Sequence, residues 1–506
     1  MDEDQEFDGH SAPHGLAVRG SAVVAVLAAL AVLISLAFGP HAALGGRDVA
    51  SAPVPSVSAS STAAANGPSA IVGPPVLGEQ LIPGSAANAA PLREGVTGST
   101  SPWQVGSEQP DLQAVAALLA RRSQAVAARN VDAFAATSLD DATARTQAES
   151  LAQLPVAEWT SQLDTAHAAE FGGLTDLGAS ADARREYGDN AYVVRTIVRY
   201  RLSGFDRSEV TAAHEVTVVY EGGDWHVVVD EPTDGSRELW DLGPFRIVRG
   251  LHSTVLGIGG AGTNGAGVAA PSGATLRNYA EAADIGVRDV TKLWGRQWQQ
   301  QVLVIAPGTT ATMASLLGRT TREYRQIAAV TTAELGGGAS ISRGDRVFIN
   351  PEAFAQLGPQ GRTIVLRHEI THVATLAAAR DNMPTWLEEG FADYIGYRGS
   401  GVSDGAIVAE LTRYVADGGR PRTLPSDEDY VGTNPHLVEA YEESWLAARM
   451  VADTYGSARL VRLYRAVHQD TAASPSDGVD MAFRDVLGVS FDQFTRQWRQ
   501  RVLALG

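Results

Sequence analysis

The sequence predicts an α+β protein: an N-terminal transmembrane helix, a small α+β domain, then a larger α+β domain with a mixed sheet and a helical C-terminal lobe. Three patterns predict it. An uninterrupted apolar run occupies residues 21–39, long enough for a bilayer core, which takes about 20 apolar residues. Helical periodicity over residues 112–134 gives way to alternating apolar segments at 190–202, 212–222 and 224–232. Two strand-like runs, QVLVIAP (301–307) and RVFINP (346–351), then precede a region that reads as helix almost continuously after Pro384.

Residues 1–20 are polar and open on an acidic run, which suits a short cytoplasmic tail. SAVVAVLAALAVLISLAFG (21–39) exceeds the usual apolar length of a cleaved signal, about 7–15 residues, so it reads as an uncleaved signal anchor. Arg19 and Arg47 flank it almost symmetrically and leave its orientation weakly marked. Residues 40–107, rich in Ala, Ser, Pro and Gly, read as a disordered linker that holds the rest away from the membrane. These segments predict a single-pass protein of the cell membrane with its long C-terminal part outside the cytoplasm.

Composition excludes several classes. A formal charge of −18 argues against nucleic acid as a partner, since phosphate binding needs a concentrated basic surface. The chain has no cysteine, which removes disulfides, thiolate metal sites and cysteine nucleophiles. Any metal must be held by His, Asp or Glu. Lys292 is the only lysine in the sequence.

Residues 108–235 carry helices first and then a strand meander, with Gly222-Gly223-Asp224 turning into the last strand. The pattern resembles the NTF2-like α+β folds, without a diagnostic motif. No acid/base pair or ligand cluster stands out there, so a structural or docking role is expected.

Residues 240–506 hold the chemistry. GRTIVLRHEITHVATLAAAR (361–380) has an apolar stripe at Leu366, Ile370, Val373 and Ala377, the face of a buried helix. His368 and His372, four apart, lie one above the other on such a helix and can aim both imidazoles at one ion, with Glu369 beside it. This is the HExxH spacing in which a Glu activates water at a zinc centre. A hydrolytic zinc takes three protein ligands and keeps one position open. PTWLEEGFADYIG (384–396) offers Glu388 and Glu389. Thr385 and Glu388 fit a capping box, which would occupy Glu388 and leave Glu389 for the metal. Asp393, one turn after Glu389, is placed to accept the other ring N–H of a ligating histidine.

With HEITH, WLEEGFADYIG and AYEESWLAARMVADTYG (440–456) together, residues 245–506 resemble the gluzincin clan of zinc metallopeptidases, and within it the peptidase-MA-like proteins, many of them membrane-anchored. The resemblance implies a zincin-like metallopeptidase domain. It implies Glu389 as third zinc ligand, and Tyr441 as the tyrosine that stabilises the oxyanion, with Tyr455 and His436 as weaker substitutes. Aminopeptidases of the clan carry a Gly-x-Met-Glu-Asn stretch before the metal helix. ELGGGASISRGDRVFINP (334–351) lacks it, which points away from an aminopeptidase and toward an endopeptidase or an unusual exopeptidase. The RVFINP strand is expected to form the sheet edge along which an extended substrate pairs.

GIGGAG (257–262) matches a dinucleotide fingerprint in letters only; no helix follows it, so it reads as a Gly-rich loop. The remaining histidines form no ligand-quality pair. The sequence thus predicts a Zn²⁺-dependent peptidase acting on peptide or protein substrates, with no nucleic acid partner and a membrane contact through its N-terminal helix. The rival is a catalytically silent, peptidase-like scaffold that binds a partner at the cell envelope.

Overall fold

The computed structural model describes residues 110–506, apart from 171, 262–266, 326, 333–344, 376–382, 432–433 and 470–474. Three helices open this part: α1 (Leu112–Ala127), α2 (Val131–Ala135) and α3 (Asp141–Gln153). Each starts at a residue whose side chain accepts from the first-turn N–H groups, Asp111, Asn130 and Asp140 in turn. Then come β1 (Val156–Leu163), α4 (Leu177–Tyr187), β2 (Ala191–Leu202), β3 (Val210–Glu221) and β4 (Asp224–Pro232). The four strands form an antiparallel sheet in the order β1-β2-β3-β4. Gly222 and Gly223 make the β3–β4 turn at φ 65° and 93°, a backbone region that favours glycine. The order differs from helices followed by strands, because β1 and α4 intervene; β1 is an edge that the sequence reading lacked.

The second sheet is built from β5 (Arg246–Arg249), β6 (Ser253–Ile258), β9 (Val302–Pro307), β10 (Ala329–Thr331) and β11 (Arg346–Ile349), in the order β10-β11-β9-β6-β5. The inner pairings β11–β9 and β9–β6 are parallel and the outer two antiparallel, the mixed sheet that was expected. All residues of β9 and β11 are buried, as suits central strands covered on both faces. RVFINP is therefore not an edge. Among the described residues the edge beside it is β10, whose three residues were too few to read as a strand.

Between β6 and β9, a small ribbon of β7 (Gly260–Ala261) and β8 (Gly267–Val268) holds part of the Gly-rich stretch. A Cβ at Gly260 would lie 2.0 Å from Thr312 Oγ1, so this backbone approaches too closely for any side chain. Next come α5 (Gly273–Trp294), α6 (Thr310–Leu316) after β9, and α7 (Pro351–Ala355) and α8 (Pro359–Thr375) after β11. The C-terminal lobe is helical: α9 (Thr385–Tyr397), α10 (Asp404–Ile407), α11 (Ala409–Ala416), α12 (Leu437–Tyr455), α13 (Ser457–Gln469), α14 (Pro475–Leu487) and α15 (Phe491–Leu503).

One hydrophobic core runs from the first sheet into the second. Trp240 packs edge-on against both Trp159 of β1 and Tyr200 of β2, and the same cluster continues through Val255 and Val304 into the helical lobe. Buried Arg346, at the start of β11, donates to Tyr200 Oη at 2.9 Å and pairs with Asp206 Oδ2 at 3.1 Å.

The transmembrane helix expected over residues 21–39 lies outside the described residues, as do the tail and linker around it. Among the described residues no helix is long and apolar enough to cross a membrane. The longest, the 22-residue α5, is amphipathic and carries Arg277, Glu281, Asp284, Arg288, Asp289 and Lys292 outside its buried face. The fold class is accordingly corrected to α+β on one antiparallel and one mixed sheet, without a membrane-spanning element among the described residues. The single-pass, extracytoplasmic placement is withdrawn with it.

Candidate metal centre

The HExxH residues sit on α8, which is packed between α5, α9 and the β10–β11 end of the sheet. Close approach on the α5 side depends on Gly286, where a Cβ would lie 2.7 Å from Ile370 Cδ1. Leu366, Ile370 and Val373 are fully buried, as their spacing predicts; Ala377 lies outside the described residues. The opposite side of α8 is buried too, and it carries His368, Glu369 and His372. Burying this many polar groups costs free energy unless each finds a partner.

Their partners define the site. His368 Nε2 and His372 Nε2 face each other at 3.0 Å. Glu389, on α9, brings Oε2 to 3.3 Å from His368 Nε2 and Oε1 to 3.8 Å from His372 Nε2. Asp393, one turn further along α9, stands 2.9 Å from His368 Nδ1. Burial works against charge on His368, but the Asp393 and Glu389 carboxylates outweigh it and hold its pKa well above the ordinary value. A carboxylate at that distance holds a proton on Nδ1, so Nε2, facing His372 and Glu389, is the ring nitrogen that would give up its proton to a metal.

His368, His372 and Glu389 are the group of described residues whose ligand atoms lie within 4.8 Å of one another. Glu389 Oε2 is buried and accepts no hydrogen bond among the described residues. Two imidazole Nε2 atoms and a carboxylate thus converge on one buried point, where a metal ion could take the place of the Nε2 proton. A tetrahedral zinc with bonds of about 2.0–2.1 Å separates its donors by about 3.3 Å, close to the spacings found here. Two imidazoles and one carboxylate are also a donor set of hydrolytic zinc. The residues fit the ion.

Glu369 points to the sheet. Thr331 Oγ1, at the end of β10, donates to Glu369 Oε2 at 2.8 Å and lies 3.1 Å from the Glu369 carbonyl oxygen. The next residue, Thr332, has its hydroxyl 3.3 Å from both the backbone N and the carbonyl O of Arg346, so the edge strand is tied to β11. Sequence reasoning missed both threonines. The only signal was a β-branched run, AVTT, ending in hydroxyls.

The capping box is not formed. Pro384 precedes the first turn of α9 with no side-chain cap, and the Thr385 hydroxyl instead donates to Asp427 Oδ1 at 2.7 Å. Glu388, released from that role, brings Oε1 to 3.9 Å from His372 Nδ1. Glu389 therefore faces the histidines for a different reason from the one first offered: the packing of α9 on α12 sets its rotation. A Cβ at Gly390 would lie 2.3 Å from the Ser444 carbonyl oxygen, so the two helix backbones touch immediately after Glu389.

Tyr441 is fully buried on α12, with the Tyr430 ring edge-on at 5.3 Å. The Tyr430 hydroxyl bonds Ser444 Oγ, which itself reaches the Ala440 carbonyl at 2.7 Å. Burial raises the Tyr430 pKa well above its usual value. Tyr455 ends the same helix about 21 Å further along its axis, at about 1.5 Å per residue. His436 precedes α12 on the surface, with Nδ1 3.2 Å from Glu439.

No protein-family model and no curated protein matches the chain. Among solved structures it is similar to a mutant M1 zinc metallopeptidase from Deinococcus radiodurans, with a TM-score of 0.31 and 15% identity over 68% of this chain and 70% of that one. The same neighbour bound to a Tyr-Ser-Ala substrate gives the same score and identity over 69% of its length. The superposition is too loose for residue roles to pass from one chain to the other.

Proposed function

We propose that the chain is a zinc-dependent peptidase, with His368, His372 and Glu389 as metal ligands and Glu369 as the acid/base group. The observation that carries this is the convergence of two imidazole Nε2 atoms and one buried carboxylate next to a glutamate held by Thr331. When bound, zinc supplies Lewis acidity, lowering the pKa of water toward about 7 and polarising a carbonyl.

The protein's own groups do the rest. The Glu369 carboxylate takes a proton from the attacking water as its oxygen bonds to the scissile carbon, and delivers it to the nitrogen as the C–N bond breaks. Thr331 holds that carboxylate in one orientation, so no rotamer search precedes proton transfer. Asp393 keeps the His368 proton on Nδ1, which presents Nε2 as a ligand. Tyr441 donates from its hydroxyl to the oxyanion as charge develops. The missing Gly-x-Met-Glu-Asn stretch supports internal peptide bonds over the N-terminal one. β10, the edge among the described residues and next to Glu369, replaces RVFINP as the strand for an extended substrate.

Metal analysis of the purified chain, paired with cleavage of a mixed peptide library, tests the reading. Stoichiometric zinc, hydrolysis abolished by a chelator, and a Glu369→Gln variant that keeps its zinc but loses hydrolysis are expected. Stoichiometric zinc with no cleavage of any peptide would instead favour the silent scaffold.

A further inference from the structure

A second concave feature lies behind the metal helix. It is a cleft of about 460 Å³ at the junction of α5, α8 and α9, lined by Asp289, Lys292, Leu293, Arg367, Ile395, Arg398 and Gly399. That volume lies within the range of small-molecule sites, roughly 300–1,000 Å³. Its charge is opposite to that of the protein as a whole. Three cationic side chains share the cleft with one carboxylate, in a chain of net charge −18 whose only lysine is one of the three.

The one carboxylate is already engaged. Asp289 pairs with Arg367, and its other oxygen lies 3.5 Å from Arg288 Nε. Arg367 also donates to the carbonyls of Arg398 and Gly396, at 3.2 and 3.5 Å, so it ties the end of α9 to α8. Its Nε remains buried without a hydrogen-bond partner among the described residues. Lys292 and Arg398 make no side-chain ion pair or hydrogen bond to any described residue. Each stands at a helix C-terminus, where the macrodipole favours a cation, which accounts for either alone. It does not account for both opening onto one cleft that a third cation, Arg367, also lines.

We propose that this cleft binds a small oxyanion, of the phosphate or carboxylate class, held by Lys292 and Arg398, with Arg367 lining the cleft beside them. Charge-assisted hydrogen bonds from an ammonium and a guanidinium are the chemistry that recognises such a group. The anion supplies the negative charge that Asp289 cannot provide to all of these cations, and it joins the C-terminal turns of α5 and α9.

Titration calorimetry and thermal melting of the full chain test this, with inorganic phosphate in one arm, succinate in another, and sodium chloride at matched ionic strength as reference. Saturable binding in at least one arm is expected; the stronger arm identifies the class. Lys292→Met and Arg398→Met should each weaken it about tenfold or more, as loss of a hydrogen bond to a charged group predicts. Both positions are exposed, so the anion-free melting temperature of the variants should fall only slightly, by the loss of a helix-terminal cation, and their zinc content should equal that of the parent. The proposal is overturned if neither anion saturates beyond the chloride reference. It also fails if the double variant binds like the parent, which would place the anion at the metal centre or elsewhere.

Discussion

Thr331 Oγ1 donates to Glu369 Oε2 at 2.8 Å, joining the last residue of an edge strand to the carboxylate assigned to proton transfer. The pair is fully buried, so water does not replace the bond if the hydroxyl is removed. Thr331→Val keeps the shape and deletes the donor. A hydrogen bond to a charged group contributes about 1.5–3 kcal/mol, so kcat should fall roughly 10- to 100-fold. KM and zinc content should stay near parental values, and Thr331→Ser should recover much of the rate. Equal kcat for Val and Thr would remove Thr331 from the mechanism.

Asp393 acts on the metal through His368. Asp393→Asn leaves an acceptor near Nδ1 but removes the charge that fixes the tautomer. Loss of such a partner typically weakens metal binding about 10- to 100-fold. Competition with a chelator of known affinity should show this shift, while the fold, followed by circular dichroism, persists.

The glycine contacts differ in their tolerance. Gly390→Ala would drive a methyl into the Ser444 backbone, which cannot step aside without moving α12. Gly286→Ala would meet the tip of the Ile370 side chain, which has rotamer freedom. Overpacking of this kind costs about 1–3 kcal/mol. Gly390→Ala should sit at the top of that range and also lower zinc affinity by rotating Glu389, whereas Gly286→Ala should sit at the bottom. Denaturant unfolding of both variants checks the order.

Stability should decline as pH rises through the neutral range. Burial lowers the His214 pKa, but Asp230, 2.7 Å from Nδ1, and Glu238 outweigh it and raise it to about 10 from 6.5. A raised histidine contributes stability fully below about pH 6.5 and loses it as pH approaches 10. Glu442 adds to the trend: burial pushes it up to about 8 from 4.5, against the N–H groups of Glu410 and Leu411 that it accepts from. Its contribution is present below 4.5 and lost as pH rises through 8. The melting temperature should therefore fall from pH 6.5 to 9. His214→Gln should flatten the upper part of that slope, and Glu442→Gln the part below pH 8.

How much of this was legible varies with how local the cause is. The HExxH helix could be read because both the four-residue spacing and the buried stripe are properties of one segment. Glu389 was reached through the WLEEG resemblance, and the capping argument offered beside it failed on a long-range contact. Thr385 finds its acceptor on Asp427, and no local pattern reports a partner 42 residues away. Thr331 was hidden for a related reason: β10 has three residues, too short for alternation to register, and its place at the edge is set by pairing with β11. RVFINP reads as a strand, but its position inside the sheet depends on β10. The apolar run at 21–39 falls outside the described residues, so the anchored architecture inferred from it does not enter this fold.

Arg346 links the two sheets, and its loss should be felt at the metal centre. The side chain pairs with Tyr200 of β2 and Asp206 of the β2–β3 loop, while its backbone N and O lie 3.3 Å from the Thr332 hydroxyl, one residue from the Glu369 contact. Removing one partner of a buried ion pair costs about 3–5 kcal/mol, because the other charge is left in a low dielectric. Arg346→Met should destabilise the chain by about that amount. Asp206→Asn in the same chain should return part of it, since the amide oxygen can still accept from the Leu202 N–H that Asp206 Oδ2 now accepts at 2.7 Å. If β10 is held in register through this pair, Arg346→Met should also lower kcat at temperatures where the variant is fully folded, and the double variant should regain it. Recovery of stability without recovery of kcat would confine Arg346 to holding the sheets together.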